Sequence, residues 1–378
     1  MLTAETSLMT RDGPVPAREI REGRELVAAG GWGESILVTA ADIFVQFDHK
    51  GPVLSLKTSR GATLRCSPDH PCCGRLNQVN RLYHLYLMER NALGFRVGLS
   101  SDLMKDLIAM QNLRHDLFNQ QDIVDRVWII ESTENSLKAE FLLKYAVFKY
   151  GLPDLPFSGR QAESELPDEM IRELYNRIDT PSRAHQLLLD WLMFEDSPHV
   201  TMRVAKAGQT ASNAVQFVIF GGTERAGSRP GYSHLIRIDN VQDPDKAEHK
   251  QFRRRQTSHG QWYLEVTRDD DEEAQLFVKT LVALDNLEVV RKIQLTKKPA
   301  FYPLPASHLK LGMVVPVLGD RGTVEEDTIV EITTEDHQGP LYDIKLDGGC
   351  TYVAGDWITM SWSGAGTGTA RKLNEPRA

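Results

Sequence analysis

Over the first 75 or so residues, apolar positions recur in short runs separated by turn-forming residues. Ile36–Thr39 and Ile43–Phe47 are rich in β-branched and aromatic side chains, and Val53–Thr58 alternates apolar with polar. Asp12-Gly13-Pro14, Gly30-Gly31 and Arg60-Gly61 mark turns. The other end has the same texture at Met313–Leu318, Thr328–Thr333, Leu341–Leu346 and Thr351–Ala354. Both ends are predicted to be β.

The pattern changes between them. Tyr83–Met88, Phe95–Ser100 and Val127–Glu131 predict strands, with helical stretches around 101–121 and 136–149, the latter stopped by Gly151 and Pro153. Residues 153–167 predict a linker, and 168–195 a helical region with Ile171, Leu174, Leu187, Leu188 and Leu192 as core. A further α/β unit spans about 200–296. Its helix is predicted to open at Asp269, where Asp269–Glu273 suits the positive helix N-terminus. A strand from Leu287 to Ile293 follows.

The two ends also share a motif. Ala17, Ile20 and Gly23 are followed by Gly51-Pro52-Val53-Leu54, and Ala306, Leu309 and Gly312 by Gly339-Pro340-Leu341-Tyr342. Gly23 to Gly51 is 28 residues and Gly312 to Gly339 is 27. Matched spacing indicates a duplicated unit. A duplicated half cannot bury its apolar face alone, so the ends are predicted to fold together as one β-unit, with the middle inserted.

Composition limits the function classes. No run of about 18 apolar residues exists, so no spanning helix is expected. Met1–Thr6 has no basic or apolar secretory region. Four cysteines in 378 residues do not make a disulfide scaffold, and the expected compartment is a reducing cytoplasm. A net charge of -8 argues against a chain devoted wholly to nucleic acid, yet allows a local basic surface.

Three segments carry a resemblance. Leu2–Gly13 is similar to the first block of inteins, Thr58–Pro71 with Ser67-x-x-His70 to their Thr-x-x-His block, and Leu341–Ala354 to their C-terminal block. Together these resemble the Hint domain of inteins and Hedgehog autoprocessing proteins. The chain looks similar to inteins of UvrD-like superfamily 1 DNA helicases, and the tail Ser363–Gly368 resembles the phosphate loop of such a helicase without its lysine. The resemblance implies a multi-domain chain. An all-β Hint fold is assembled from both ends, with an inserted α/β module like a GIY-YIG nuclease and a second α/β module. The implied division is 1–78 and 299–361 for the Hint halves, 79–155 for the nuclease-like module, 156–200 for a helical linker, 201–298 for a DNA-binding-like module, and 362–378 for a tail like the downstream flanking peptide (C-extein).

For splicing, the resemblance implies that the first side chain attacks the preceding carbonyl, that His70 protonates the leaving amide nitrogen with Ser67 assisting, and that Asp343 tunes proton transfer. The chain departs from this pattern at several points. Met1 has a thioether with no proton to lose, no upstream peptide is expected before it, Met360-Ser361 stands where His-Asn is expected, and Cys350 stands for an assisting histidine. As written, the chain is expected not to splice. Cys66, Cys72, Cys73 and Cys350 are expected near His70 as buried small residues.

For the nuclease-like module, His84-Leu85-Tyr86 and Arg96-Val97-Gly98 stand for the two signature tripeptides. Tyr86, Arg96, and Lys105 or Arg114 are candidates for its chemistry, with Glu140 as ligand to Mg²⁺. Splicing itself implies no cofactor. Expected partners are a flanking helicase peptide and double-stranded DNA, the latter through Lys250, Arg253, Arg254 and Arg255 with Arg225 and Arg229 from a Gly/Ser-rich loop. A monomer is expected. The alternatives are a non-catalytic DNA-binding remnant and a free-standing homing endonuclease on a Hint scaffold.

Overall fold

The structure, a computed structural model, describes residues 1–77, 81–91, 93–101, 124–157, 166–201, 214–222, 232–239, 241, 243–245, 250–258, 260–285 and 288–361. The helix expected at 101–121, with Lys105 and Arg114, lies outside these residues, as do Arg225, Arg229 and the tail 362–378. The chain divides into two compact units. One comprises Met1–Arg75, Ser212–Ala306 and Val314–Ala370, and the other Leu76–Ala211, Ser307–Met313 and Arg371–Ala378.

In the first unit, strands from both ends of the chain form one twelve-stranded sheet. Its spine is a pair of long antiparallel strands, Glu34–Thr58 and Val324–Asp347. The sequence predicts separate short strands here. The polar stretch between them stays extended because its backbone groups pair with the opposite strand, so no core is needed to hold it. Phe47, at 73% exposure, sits in this solvated stretch.

The register shows the duplication directly. Gly51 lies opposite His337 and His49 opposite Gly339, with Lys50 facing Gln338 between them. A pseudo-dyad therefore passes between Lys50 and Gln338. Farther out, Val330 and Ala41 are each skipped in the pairing, bulges at corresponding places that bend the ribbon. The short motif is duplicated in conformation too. Ala17–Glu19 and Ala306–His308 are both 3-10 turns, and Gly23 (φ 81°) and Gly312 (φ 80°) take the same left-handed geometry.

A five-stranded sheet belongs to the same unit, ordered Arg253–Gln256, Trp262–Arg268, His234–Ile238, Ala214–Ile219, Glu288–Ile293. Only the last pair is parallel, and helix Asp271–Asp285 leads from strand Trp262–Arg268 to strand Glu288–Ile293. That helix starts two residues later than predicted because Asp270 caps it, its carboxylate accepting from the Glu273 amide at 3.0 Å. Sequence periodicity sets 201–298 apart. Here Phe217, Ile236, Leu264 and Val278 share one core with Cys73, Cys350, Ile358 and Met360 of the large sheet. The Trp32 indole donates to the Phe220 and Gly222 carbonyls at 2.8 and 3.1 Å, tying the two sheets together.

The second unit is an antiparallel four-stranded sheet, ordered Val200–Thr201, Arg126–Thr133, Tyr83–Arg90, Gly94–Ser100. Leu85, Leu87, Phe95, Val97, Trp128 and Ile130 pack one face with residues of helices Ser136–Tyr150 and Thr180–Asp190. Tyr86, Met88, Val127 and Ile129 pack the other with Phe157 and with Ile171 and Tyr175 of helix Asp168–Arg177. The stretch expected as a helical linker supplies these last two helices, whose apolar positions match the two sheet faces. His308 stacks on His199 at 5.3 Å, and the His199 Nε2 donates to its carbonyl at 2.7 Å. No helix among the described residues is long and apolar enough to cross a membrane.

Candidate functional site

Strand Leu2–Thr3 pairs on one side with the C-terminal half, at Leu2↔Tyr342 and Thr3↔Leu341, and on the other with the N-terminal half at Leu2↔Cys66. This register runs on toward Met1 and Asp343. Residue 1 is thereby fixed where the two halves meet.

The turn Ser67–His70 closes over it. The His70 amide donates to the Ser67 carbonyl at 3.0 Å, and the Ser67 amide to the Met1 carbonyl at 2.8 Å. The Met1 amino group donates to Ser67 Oγ at 2.5 Å, and Ser67 Oγ donates in turn to the Asp69 carboxylate. Asp69 also lies 3.9 Å from the amino nitrogen. Both heavy atoms of the residue 1 backbone that can hydrogen-bond are therefore held by one turn.

His70 is fully buried, and its tautomer follows from its neighbours. Thr359 Oγ1 spends its proton on the Pro71 carbonyl at 2.8 Å, so it accepts from His70 Nε2 at 2.7 Å. Nε2 carries the ring proton, which leaves Nδ1 as a bare lone pair. Nδ1 is buried with no hydrogen-bond partner. Burial and, secondarily, the nearby amino group of residue 1 hold His70 well below the usual imidazole range. The ring is neutral at pH 7, with Nδ1 as its unprotonated nitrogen.

The floor of the site is thiol and phenol. Cys72 Sγ lies 3.8 Å from Thr359 Oγ1, and the Cys66 thiol contacts Cys72. The Tyr352 hydroxyl is buried without a partner. Its pKa is pushed well up by burial and then by the neighbouring Asp343 carboxylate and the two thiols. Asp343 is buried in the same group.

Ser67, His70, Asp343 and residue 1 therefore come together. Cys350 and Met360 do not join them. With Cys73 they face the core shared with the five-stranded sheet, because strand alternation turns Met360 away from Thr359. The expectation that four cysteines gather at His70 thus holds for Cys66 and Cys72 only. Ser361 is buried, its amide donating to the Cys350 carbonyl at 3.0 Å. Sequence reasoning missed Asp69, Thr359 and Tyr352. Thr359 was findable, since it alternates with two apolar residues on strand Trp357–Met360.

The nuclease candidates are not assembled in this way. Tyr86 and Arg96 are buried on one face of the four-stranded sheet, whereas Glu140 is exposed on the helix covering the opposite face. The basic candidates Arg253, Arg254 and Arg255 form an exposed strand. There Arg254 pairs with Asp245 and Arg255 with Glu265, which neutralises much of the local charge, and Lys250 is exposed nearby in sequence.

No family model matches the chain, and no curated protein matches it in sequence. Among solved structures it is similar to the crystal structure of the G-1F mutant of the Ssp DnaB mini-intein variant M86. The identity is 7% and the TM-score 0.27, over 95% of this chain and 97% of that one. A likeness of that size does not assign the chain to a family.

Proposed function

We propose that the chain is an intein-type Hint element whose site is organised for an acyl shift at the peptide bond preceding residue 1. The observation that carries this reading is the convergence of residue 1, Ser67, buried His70 and Asp343 at the junction of the two halves. The Met1 nitrogen stands for the nitrogen of the scissile peptide. Ser67 Oγ beside it polarises that amide. His70 Nδ1 takes the proton of a residue 1 thiol or hydroxyl as its sulfur or oxygen bonds to the preceding carbonyl carbon. As the carbon–nitrogen bond breaks, the same proton passes to the departing amine. Methionine has no such proton, and Ser361 cannot cyclise as asparagine does. The scaffold is in place, and the reacting groups at its two ends are not.

The test restores those groups. A Met1→Cys, Met360→His, Ser361→Asn variant is made with a peptide before residue 1 and another after residue 361. Mass spectrometry is expected to show thiol-dependent release of the upstream peptide. Removing His70 (His70→Ala) is expected to slow that release by about 10²–10⁴-fold, the usual worth of a positioned acid–base group. A folded variant with no thiol-dependent release would overturn the reading.

A further inference from the structure

The duplicated motif carries a histidine at the same place in each copy. Asp48-His49-Lys50-Gly51-Pro52 in the first half matches Asp336-His337-Gln338-Gly339-Pro340 in the second. The two segments face each other across the long ribbon, with His49 opposite Gly339 and His337 opposite Gly51. Strand alternation puts both imidazoles on one face, whereas Lys50 and Gln338 point to the other. The ring centres lie 6.2 Å apart, with an angle of 30° between the planes.

Glycine makes that approach possible. The Cε1–Nε2 edge of His49 lies over Gly51, its atoms 3.6 and 3.7 Å from where a Cβ would stand. The same edge of His337 lies over Gly339, with Nε2 at 3.4 Å and Cε1 at 3.6 Å. Each edge is thereby carried to the cross-strand neighbour of the other histidine. Both Nε2 nitrogens are buried without a hydrogen-bond partner, although each ring as a whole is only half-buried. An imidazole nitrogen shut away from water and left unpaired is disfavoured, and here the arrangement occurs twice. Phe47, Asp48, Lys50, Asp336 and Gln338 around the pair are exposed, so core packing does not account for it.

We propose that His49 and His337 together bind one divalent transition-metal ion of the zinc and copper class, bridging the two halves of the ribbon. Imidazole is the commonest side-chain ligand for such ions, and it coordinates through a ring nitrogen with no other partner. A tetrahedral Zn²⁺, about 2.0–2.1 Å from each nitrogen, sets the centres of two imidazole ligands about 5 Å apart. Rotation of the half-buried rings about their side-chain bonds covers the remaining difference of about 1 Å. Glu335, two residues from His337 on the same face, is paired with Arg65 at 2.7 Å. Among the described residues no group of three or more candidate ligands occurs, so water completes the coordination. The two ligands come from opposite ends of the chain, and the ion acts as a clip between the duplicated units in a stretch that no core holds. This inference does not depend on the splicing reading.

The test is zinc binding by the full chain near neutral pH. Isothermal titration of the native protein with zinc chloride is expected to show one ion bound per chain. Histidine NMR is expected to show two imidazoles shifting together over that one equivalent. His49→Ala and His337→Ala are each expected to weaken binding by more than about tenfold, since loss of even an outer-shell partner costs that much. Both rings sit on a solvated ribbon, so the variants are expected to keep the native urea midpoint in metal-free buffer. The proposal is overturned if the native chain binds no zinc, or if the double variant binds it as tightly. It is equally overturned if only one of the two substitutions weakens binding, which would mark a lone surface imidazole. Should a variant fail to fold, the native spectrum decides: zinc that does not shift both imidazoles overturns the site.

Discussion

The two copies of the duplicated unit share a scaffold and differ at one turn. In each, a long strand leads to a short one, Thr63–Cys66 or Thr351–Ala354, at the same distance from its Gly-Pro pair. After the second copy the chain reverses through Gly355 and Asp356 alone. Both have positive φ, 55° and 67°, and the next strand pairs straight back at Ala354↔Trp357. After the first copy the turn is four residues, Ser67–His70, and Leu2–Thr3 pairs with the preceding strand. The tight turn closes a hairpin, whereas the wide one admits residue 1 and surrounds it with hydroxyl, carboxylate and imidazole. The acyl-shift site proposed above therefore depends on the longer of the two turns in a repeated frame.

Four measurements would break or sharpen that contrast. The largest effect is expected at Gly355, where a Cβ would fall 1.9 Å from the Thr63 carbonyl oxygen at positive φ. Gly355→Ala is expected to cost about 3 kcal/mol in urea unfolding, from strain and overpacking together. A loss under about 1 kcal/mol would show that the tight turn is not required.

Acid comes next. Burial lowers the His70 pKa in the folded state, so below the ordinary value of about 6.5 the unfolded chain binds the extra proton, and stability declines as pH falls. Between pH 6.5 and 5 this amounts to about 2 kcal/mol for one histidine. His199, pushed down to about 3, and His234, pushed down to about 4, act with the same sign. A His70→Leu variant is expected to lose one proton of this pH dependence. An unchanged slope would mean that His70 is not held neutral by the fold.

Thr359→Val leaves the Nε2 proton of His70 without an acceptor. It is expected to cost about 1–2 kcal/mol and to raise exchange of the imidazole proton seen by NMR. The smallest effect separates the dyad-related glycines. Gly339 has φ 152° with the His337 ring 3.4 Å from a new Cβ, whereas no unusual φ marks Gly51 and the contact there is an ordinary 3.6 Å. Gly339→Ala is expected to cost about 1 kcal/mol and Gly51→Ala under about 0.5. Equal losses would mean that the symmetry extends further than the register shows.

The parts legible in the sequence were those written in spacing. The intervals from Gly23 to Gly51 and from Gly312 to Gly339 signal a duplicated unit, and Ser67 and His70 stand out by type and order. The length of the ribbon strands was hidden, because their exposed middle has no apolar alternation to mark it. Tyr352 was hidden for another reason: its role depends on which face of a strand it occupies, whereas Thr359 stands out as the polar residue between Ile358 and Met360. The helices at 168–177 and 180–190 were read as helical, but their place on the four-stranded sheet depends on apolar positions whose partners are distant in sequence.

The interleaving of Leu2–Thr3 between Cys66 and Tyr342 has a consequence for how the polypeptide is made. A nascent chain cannot complete its first-formed sheet until strand Val324–Asp347 has left the ribosome. Until then the open strand edges are templates for mispairing. The same dependence means that two polypeptides cut within 158–165, incomplete when separate, carry complementary edges and are expected to assemble when mixed.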